Sequence, residues 1–479
     1  MTDVVQKLWG FCHVLRHDGI DYGDYIEQIT YLLFLKMADE RGIELPEGFD
    51  WKTVKEKSGT DLTDYYVDLL RKLGKEEGLL GDIFSGAISR FTNPVNLKRL
   101  VNLIDEIEWT GLKVDVKAAA YEGLLEKAAS EGKKGAGQYF TPRILIQSIV
   151  GCMKPDPRLN DEFTICDPAA GTGGFLMSSY EWLMERTEGA LKREDAQRIK
   201  DRTYYGTELV PRPRRLCLMN LYLHDLEANI YLGDSIYEPD PGKRYDVVLT
   251  NPPFGTKGAN QAPLRDDFTI STSNKQLNFV QHVKMILKPG GRAAIVLPDN
   301  CLFSDQAGEV FKILMEDCDL HTILRLPRGT FTPYSPGVKA NVIFFRKGYA
   351  TKNVWIYDCR TNIPSITKKE RPLTPEHFKE FEECYGPDPN VVTASALEKR
   401  EEMAKRTERF KKFTADEIQK RDYNLDISWL KDESLEDAED LPEPDELVSE
   451  AIIHLEAAVD GLQEAILLLE RNGKGSGGE

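Results

Sequence analysis

The chain has 479 residues, 41% of them hydrophobic, with 62 Lys and Arg against 79 Asp and Glu, for a formal net charge of -17. That length can bury two or three cores, while the acidic balance weighs against a protein that grips nucleic acid unaided, because phosphate contacts from Lys and Arg dominate such affinity. No apolar stretch of about 18 residues is free of charge and Met1 to Lys7 has no signal-peptide pattern, which points to the cytoplasm; the 8 scattered cysteines form no Cys-x-x-Cys pair or Cys/His cluster, so neither a disulfide framework nor a metal site is indicated.

Residues 1–130 read as a helical N-terminal domain. In Tyr25 to Met37, Ile26, Ile29, Leu33 and Met37 fall on one helical face. The Gly/Lys segment Glu131 to Gly137 marks a flexible boundary. From 131 to 350, short apolar runs alternate with helix-like segments: Phe163 to Cys166, Thr203 to Gly206, Asn229 to Leu232, Tyr245 to Thr250, Arg292 to Leu297, Thr322 to Leu326 and Asn341 to Phe345. Such alternation predicts an α/β fold with a doubly wound, mostly parallel sheet and ligands at the carboxyl ends of its strands.

Residues 351–440 read as a charged C-terminal extension that opens on a further strand, Val354 to Tyr357. Between 441 and 472, Val448, Ile452, Leu455, Val459, Leu462, Ile466 and Leu469 follow the spacing of a coiled-coil seam. This heptad helix either docks on a partner or folds back on its own chain, and the acidic, proline-containing linker before it favours the partner.

Two motifs carry chemistry. Asp167-Pro168-Ala169-Ala170-Gly171-Thr172-Gly173-Gly174-Phe175 follows one strand-like run and precedes the helix-like Phe175 to Leu183, the strand, turn and helix order of a nucleotide-cofactor site. Glycines at 171, 173 and 174 let backbone approach a ligand closely. Glu208, at the end of the next strand, sits where a carboxylate takes ribose hydroxyls, and Asp234 follows a third strand. Asn251-Pro252-Pro253-Phe254 ends the run Tyr245 to Thr250. An exocyclic amine is a poor nucleophile because its lone pair is delocalised into the ring. The Asn251 side-chain carbonyl and the Pro252 backbone carbonyl offer two acceptors for its N–H bonds, while two prolines fix φ and remove competing donors. Phe254 offers a face for a planar base. Together the motifs describe an amino-group methyltransferase.

From Tyr22 to about Asp426 the sequence resembles the modification subunit of a type I restriction-modification system, an N6-adenine DNA methyltransferase. The markers are Gly137 to Arg143, Asp167 to Phe175, Gly206-Thr207-Glu208, Asn251 to Phe254 and Pro336 to Val342. The resemblance implies the S-adenosylmethionine-dependent methyltransferase fold and S-adenosylmethionine as cofactor. Gln138, Tyr139, Phe140, Thr141, Pro142 and Arg143 would pack on its methionine end, Asp167, Gly171, Thr172, Gly173 and Gly174 would line it, Glu208 would hold its ribose, and Asp234 would add a further contact. Asn251, Pro252, Pro253 and Phe254 would form the catalytic turn. It also implies that a separate specificity subunit reads the DNA sequence, that a restriction subunit can join, and that duplex DNA is bound mainly in the complex, with no membrane involved.

Other readings stand beside this one. The same two-acceptor turn could methylate a protein glutamine, the fold could serve as a catalytically silent scaffold, or the chain could be a DNA methyltransferase sufficient in itself. Locally, Thr141 and Pro142 are also expected as N-cap and first residue of a helix over Ile144 to Val150. Arg212, Arg214 and Arg215 read as a DNA contact or, more commonly, a solvated face. The loops 255–278 and 329–341 are candidates for holding the target base.

Overall fold

Among the described residues nine strands arise, most of them where the sequence concentrates β-branched and aromatic residues: β1 (Ile165–Asp167), β2 (Tyr204–Glu208), β3 (Asn229–Leu232), β4 (Tyr245–Thr250), β5 (Leu287–Pro298), β6 (Cys318–Arg325), β7 (Ala340–Lys347), β8 (Asn353–Asp358) and β9 (Phe410–Thr414). They belong to a computed structural model that describes residues 10, 20, 22–109, 111, 121, 141–189, 191–227, 229–254, 261–304, 306–332, 337–432, 452, 455 and 459. The first seven and β8 fall on the eight runs read as strands above. The described residues form two units, 1–135 with 170–177 and 196–232, and 136–169 with 178–195 and 233–479.

The first unit is built on the helix Tyr22–Glu40. Its expected inner face, Ile26, Ile29, Leu33 and Met37, is at most 1% exposed, but Tyr25, Tyr31, Leu32 and Leu35 are equally buried. Burial runs around the helix, taking in the polar Glu27, Gln28 and Thr30 as well, against Trp51–Glu56, Pro94–Asp105 and Pro211–Leu223. Local chemistry sets the helix starts: the Asp50 side chain accepts from Thr53 N, and Asn93 accepts from Val95 N with Pro94 in the first turn. In this unit β2 pairs with β3 in parallel, Glu208 opposite Leu232, and Pro211–Leu223 is the crossover helix.

That crossover helix corrects the reading of its arginines. Arg215 is 5% exposed, pairs with Glu27, and donates from Nε to Ile83 O (2.6 Å) and from Nη2 to Ser85 O (2.6 Å). Arg214 donates to Ile230 O (2.7 Å) and pairs with Asp82 (2.8 Å), and Arg212 pairs with Asp24. Arg215 is buried and so does not belong to a solvated face, while Arg212 and Arg214 are only partly exposed and are ion-paired. They answer acidic residues of the N-terminal helices, and Arg215 and Arg214 also satisfy carbonyls at the end of Gly78–Phe84 and in β3.

In the second unit the strands run in the order β1-β4-β5-β7-β6-β8-β9. The pairs β1–β4 and β4–β5 are parallel, with Val247 opposite both Ile165 and Arg292. β7 inserts antiparallel between β5 and β6, so its first residues, Ala340 and Asn341, lie against the carboxyl end of β5. Val247 to Thr250 and Ala340 to Phe345 are buried without alternation, as expected of strands covered on both faces.

The described part of residues 351–440 contains β8, which is parallel to β6, the helices Glu376–Tyr385 and Ala394–Arg406, and β9, antiparallel to β8. No strand was expected at β9, Phe410-Lys411-Lys412-Phe413-Thr414. It lies last in the strand order, where lysines are favoured because they discourage further pairing. Of the heptad segment only Ile452, Leu455 and Val459 are described, each helical and between 48% and 65% exposed; the remaining heptad positions lie outside the described residues. No helix among the described residues is long and apolar enough to cross a membrane.

Candidate active site

The glycine turn begins at the end of β1. Asp167 is 2% exposed, and its Oδ1 accepts from Ala169 N (3.0 Å) and from Thr250 Oγ1 (2.7 Å). The carboxylate thus shapes its own turn and ties it to the last residue of β4, immediately before Asn251. Gly171 and Gly173 have φ of +54° and +84°, where a side chain is strained. A Cβ on Gly173 would lie 2.8 Å from Cys217 Sγ, so this glycine also lets the turn seat on the crossover helix Pro211–Leu223. Asn220 of that helix donates to Thr172 O at 3.3 Å, and Gly174 opens the helix Gly174–Arg186.

Glu208 closes β2 against the same turn. Its Oε2 accepts from Gly171 N (2.8 Å) and its Oε1 from Val210 N (2.9 Å). Burial holds the carboxyl above the usual range, an effect that these amide bonds oppose. Each carboxylate oxygen has two lone pairs, so a vicinal diol can still donate to both oxygens, and this pair of acceptors suits the hydroxyls of a ribose. Asp234 is engaged differently: its Oδ1 accepts from Ile236 N (2.9 Å) and Tyr237 N (3.0 Å), which caps the turn after β3. The neighbouring Ser235, not singled out from the sequence, donates from Oγ to Pro168 O at 2.6 Å. Ser235 O accepts from Arg265 Nη1 at 2.7 Å, and Arg265 Nε donates to Asp267 at 2.8 Å. Only a Ser after Gly-Asp at a strand end hinted at the first of these links, and nothing marked Arg265.

At the end of β4, Asn251 Nδ2 donates to Thr141 Oγ1 at 2.8 Å. Its Oδ1 is buried and accepts no hydrogen bond among the described residues. A buried amide oxygen without a donor costs about 1–3 kcal/mol; Asn220, Asn341 and Asn390 Oδ1 are placed likewise, and Asn251 differs in standing at the carboxyl end of β4, within the Asn-Pro-Pro-Phe turn. Pro252 is buried and Pro253 exposed, and Pro253 O accepts from Gln276 Nε2 at 2.9 Å. Phe254 is 7% exposed and meets Phe331 edge to face, with centroids 5.3 Å apart. The expected open stacking face is therefore partly covered, by a residue of the second candidate loop. Gly329 makes that loop's close approach possible: its φ is +72°, and a Cβ there would lie 2.3 Å from Ile366 O.

The helix Arg143–Met153 takes Pro142, not Thr141, as N-cap, because Pro142 has ψ of 131°, outside the helical range. The Thr141 hydroxyl is thereby available to Asn251. Arg143 pairs with Glu181 at 2.7 Å. Gln138, Tyr139 and Phe140 lie outside the described residues, as do 255–260 and 333–336 of the two candidate loops. The rest of the first loop is held firmly: Gln281 binds both Ile270 N and Ile270 O at 2.9 Å, and Asn278 Nδ2 donates to Thr272 O at 2.9 Å.

A mixed sheet in which the parallel strand β1 leads into a glycine turn and β4 into Asn-Pro-Pro-Phe is the framework of an amino-group methyltransferase, and comparison with known proteins narrows the class. Residues 112–438 match the family model for N-6 DNA methylase, and residues 4–44 match that for the HsdM N-terminal domain. The chain is 40% identical over 519 residues to the type I restriction enzyme StySPI methylase subunit of Salmonella potsdam, covering 99% of this chain and 96% of that one. It is likewise 40% identical over 506 residues to the EcoKI methylase subunit of Escherichia coli (strain K12), covering 96% and 94%. A solved chain described in work on complex assembly and conformational transition of the type I R-M system superposes with a TM-score of 0.73 at 27% identity, covering 98% of both chains. The chain belongs to the N-6 DNA methylase family, among the methylase subunits of type I restriction enzymes, and is an adenine-specific DNA methyltransferase.

Proposed function

We propose that the chain transfers a methyl group from S-adenosylmethionine to N6 of an adenine flipped out of duplex DNA, as the catalytic subunit of a cytoplasmic complex in which a specificity subunit reads the sequence and a restriction subunit can join. The carrying observation is Asn251 Oδ1, a buried acceptor without a donor at the carboxyl end of β4. An adenine amine has two N–H bonds. Donating one to Asn251 Oδ1 and the other to Pro252 O draws the nitrogen out of conjugation and aims its lone pair. Phe254, backed by Phe331, supports the base. The cofactor brings the electrophilic methyl. Glu208 accepts from its ribose hydroxyls, the backbone of Gly171, Thr172, Gly173 and Gly174 lines it, and the segment Gln138 to Arg143, with the helix-entry amides at Arg143, takes its methionine end. Asp167 and Asp234 shape the turns around it. The glutamine-directed alternative shares the two-acceptor logic, but the DNA methylase family decides for the base.

Glu208→Ala tests the cofactor assignment. Loss of charge-assisted bonds to the ribose should weaken S-adenosylmethionine binding by about 1.5–3 kcal/mol. Calorimetric affinity should also fall as pH drops through the raised pKa of Glu208, because only the ionised carboxylate accepts from both hydroxyls. Unchanged affinity in the variant would return Glu208 to a purely structural role on Gly171.

The domain assignment carries a second test. We assign 1–130 to a helical domain, 131–350 to the methyltransferase domain, 351–440 to the extension that follows it, and 441–472 to partner docking. With a net charge of -17, the phosphate contacts are expected from the partner. Replacing Val459 and Leu462 with Asp places unpaired charge on the heptad seam and should abolish co-purification with the specificity subunit. Wild-type yield of the complex from the double variant would remove the docking assignment.

A further inference from the structure

We infer that the turn 367–371 carries a DNA-backbone contact, in which Lys368 and Lys369 bind phosphates flanking the flipped adenine. The inference rests on the adenine-methylating reading above and adds to it a phosphate site on this chain, which neither the family match nor the sequence motifs assign. The partner still supplies most of the backbone contacts, in keeping with the net charge of -17. This turn serves the strand beside the reacting base.

Strand direction brings the turn to the catalytic edge of the sheet. β4 and β5 are parallel, β7 is antiparallel to both β5 and β6, and β8 is parallel to β6, so β4, β5, β6 and β8 all end on one edge. The register agrees: Leu297 lies opposite Asn341, Asn341 opposite Arg325, and Arg325 opposite Asp358. After Asp358 the chain folds back over the loop that follows β6. Cys359 N donates to Arg325 O at 3.0 Å and Ile366 N to Arg328 O at 2.8 Å, while a Cβ on Gly329 would stand 2.3 Å from Ile366 O. Two residues beyond Gly329, Phe331 meets Phe254. Lys368 lies two residues beyond Ile366, so the lysines belong to the same loop pair that supports the target base.

The turn has a defined shape. Thr367 N donates to Arg371 O at 2.9 Å and Arg371 N donates to Thr367 Oγ1 at 3.0 Å, which closes the segment and leaves Lys368 and Lys369 exposed at its tip. The arginines of the adjoining loops are consumed by carboxylates: Arg328 pairs with Asp432, Arg360 with Asp299, and Arg325 with Asp358 and Asp426. Among the described residues neither Lys368 nor Lys369 has such a partner, and Glu370 is the one carboxylate of the turn. Arg212, Arg214 and Arg215 fail the same criterion, being ion-paired. An ammonium on a flexible stem meets a phosphate as a point charge and needs no fixed geometry. Each DNA strand carries a phosphate about every 3.4 Å, so a base seated against Phe254 brings several of them over this edge.

The test uses the complex reconstituted with its specificity subunit and a fluorescent duplex carrying the sequence it methylates, with binding read by anisotropy as salt is raised. Each neutralised phosphate contributes about 0.9 to the slope of log affinity against log salt. The double variant Lys368→Ala, Lys369→Ala should therefore lower that slope by about 1–2 and weaken binding roughly 5- to 30-fold at about 0.1 M salt. The pair Lys368→Arg, Lys369→Arg should keep the wild-type slope. Sequence preference should not change, because phosphate contacts carry no base information. Ethylating the phosphates next to the methylated adenine should impair binding by the wild type and no longer matter to the alanine variant.

An unchanged salt slope in the alanine variant overturns the inference. So does loss of the specificity subunit from the purified complex, which would make the turn a subunit contact, or ethylation interference at the flanking phosphates that persists in the variant. Should the double change perturb folding, Lys368→Ala and Lys369→Ala are read singly, each expected to lower the slope by about 0.9. A complex that places no methyl on adenine would defeat the adenine reading whatever the slope. Normal adenine methylation with an unchanged slope would defeat this inference alone.

Discussion

Replacing Asn251 by alanine is expected to lower single-turnover methylation by the assembled complex about 100- to 1,000-fold, or roughly 3–4 kcal/mol of barrier, the scale of removing one preorganised hydrogen-bonding group from a reaction centre. The fold should tolerate the change. Among the described residues Asn251 makes one side-chain bond, to Thr141, and the contacts that order its surroundings, Asp167 with Thr250 and Gln276 with Pro253 O, do not pass through its side chain. Cofactor affinity, read by calorimetry, should stay near wild type because Glu208 and the glycine turn are untouched. A near-normal rate in this variant would remove Asn251 from catalysis.

Arg215→Ala should be the most destabilising single change in the first unit. Arg215 and Glu27 are 5% and 8% exposed, and the guanidinium also satisfies Ile83 O and Ser85 O. Truncating the cation leaves two carbonyls short of donors and the buried Glu27 carboxylate with the longer 3.4 Å contact from Arg212, for a cost of about 3–4 kcal/mol. Hydrogen exchange reads this locally: protection of amides in Tyr22–Glu40 should fall by roughly two to three orders of magnitude. A change below threefold would mean that Arg212 and solvent replace Arg215, and that its burial matters little.

What the sequence showed of the site, and what it concealed, divides along chain separation. Asn251 to Phe254 stood out because a strand-forming run ended on residues with a specific chemical use, and Glu208 because strand ends in α/β sheets are where ligands sit. The buried helix at Tyr22–Glu40 and the strands β1 to β8 followed from periodicity and apolar runs. Hidden were the bonds that give these residues their orientation. Asp167 to Thr250, Ser235 to Pro168 and Asn251 to Thr141 join positions 83, 67 and 110 residues apart, and no local pattern encodes such pairings. The arginines of Pro211–Leu223 misled for a related reason: a basic run looks solvated until the acidic partners, about 130 to 190 positions earlier, fold against it. β9 was missed because two of its five residues are lysines, which suit the last strand of a sheet but lower any strand signal read from composition. Phe254 stood out as the aromatic that ends the Asn-Pro-Pro turn, whereas its partner Phe331 did not, since the pair meets only in the folded chain.

Adenine methylation that needs both this chain and a sequence-reading partner is measured most directly by mapping N6-methyladenine across the DNA of cells that carry the two genes, this gene alone, or both with Asn251→Ala. Methylated adenines confined to one recurring sequence, present only when both wild-type genes are carried, are the expected result. A defined sequence methylated by this chain alone, or modification that persists undiminished with Asn251→Ala, would contradict it.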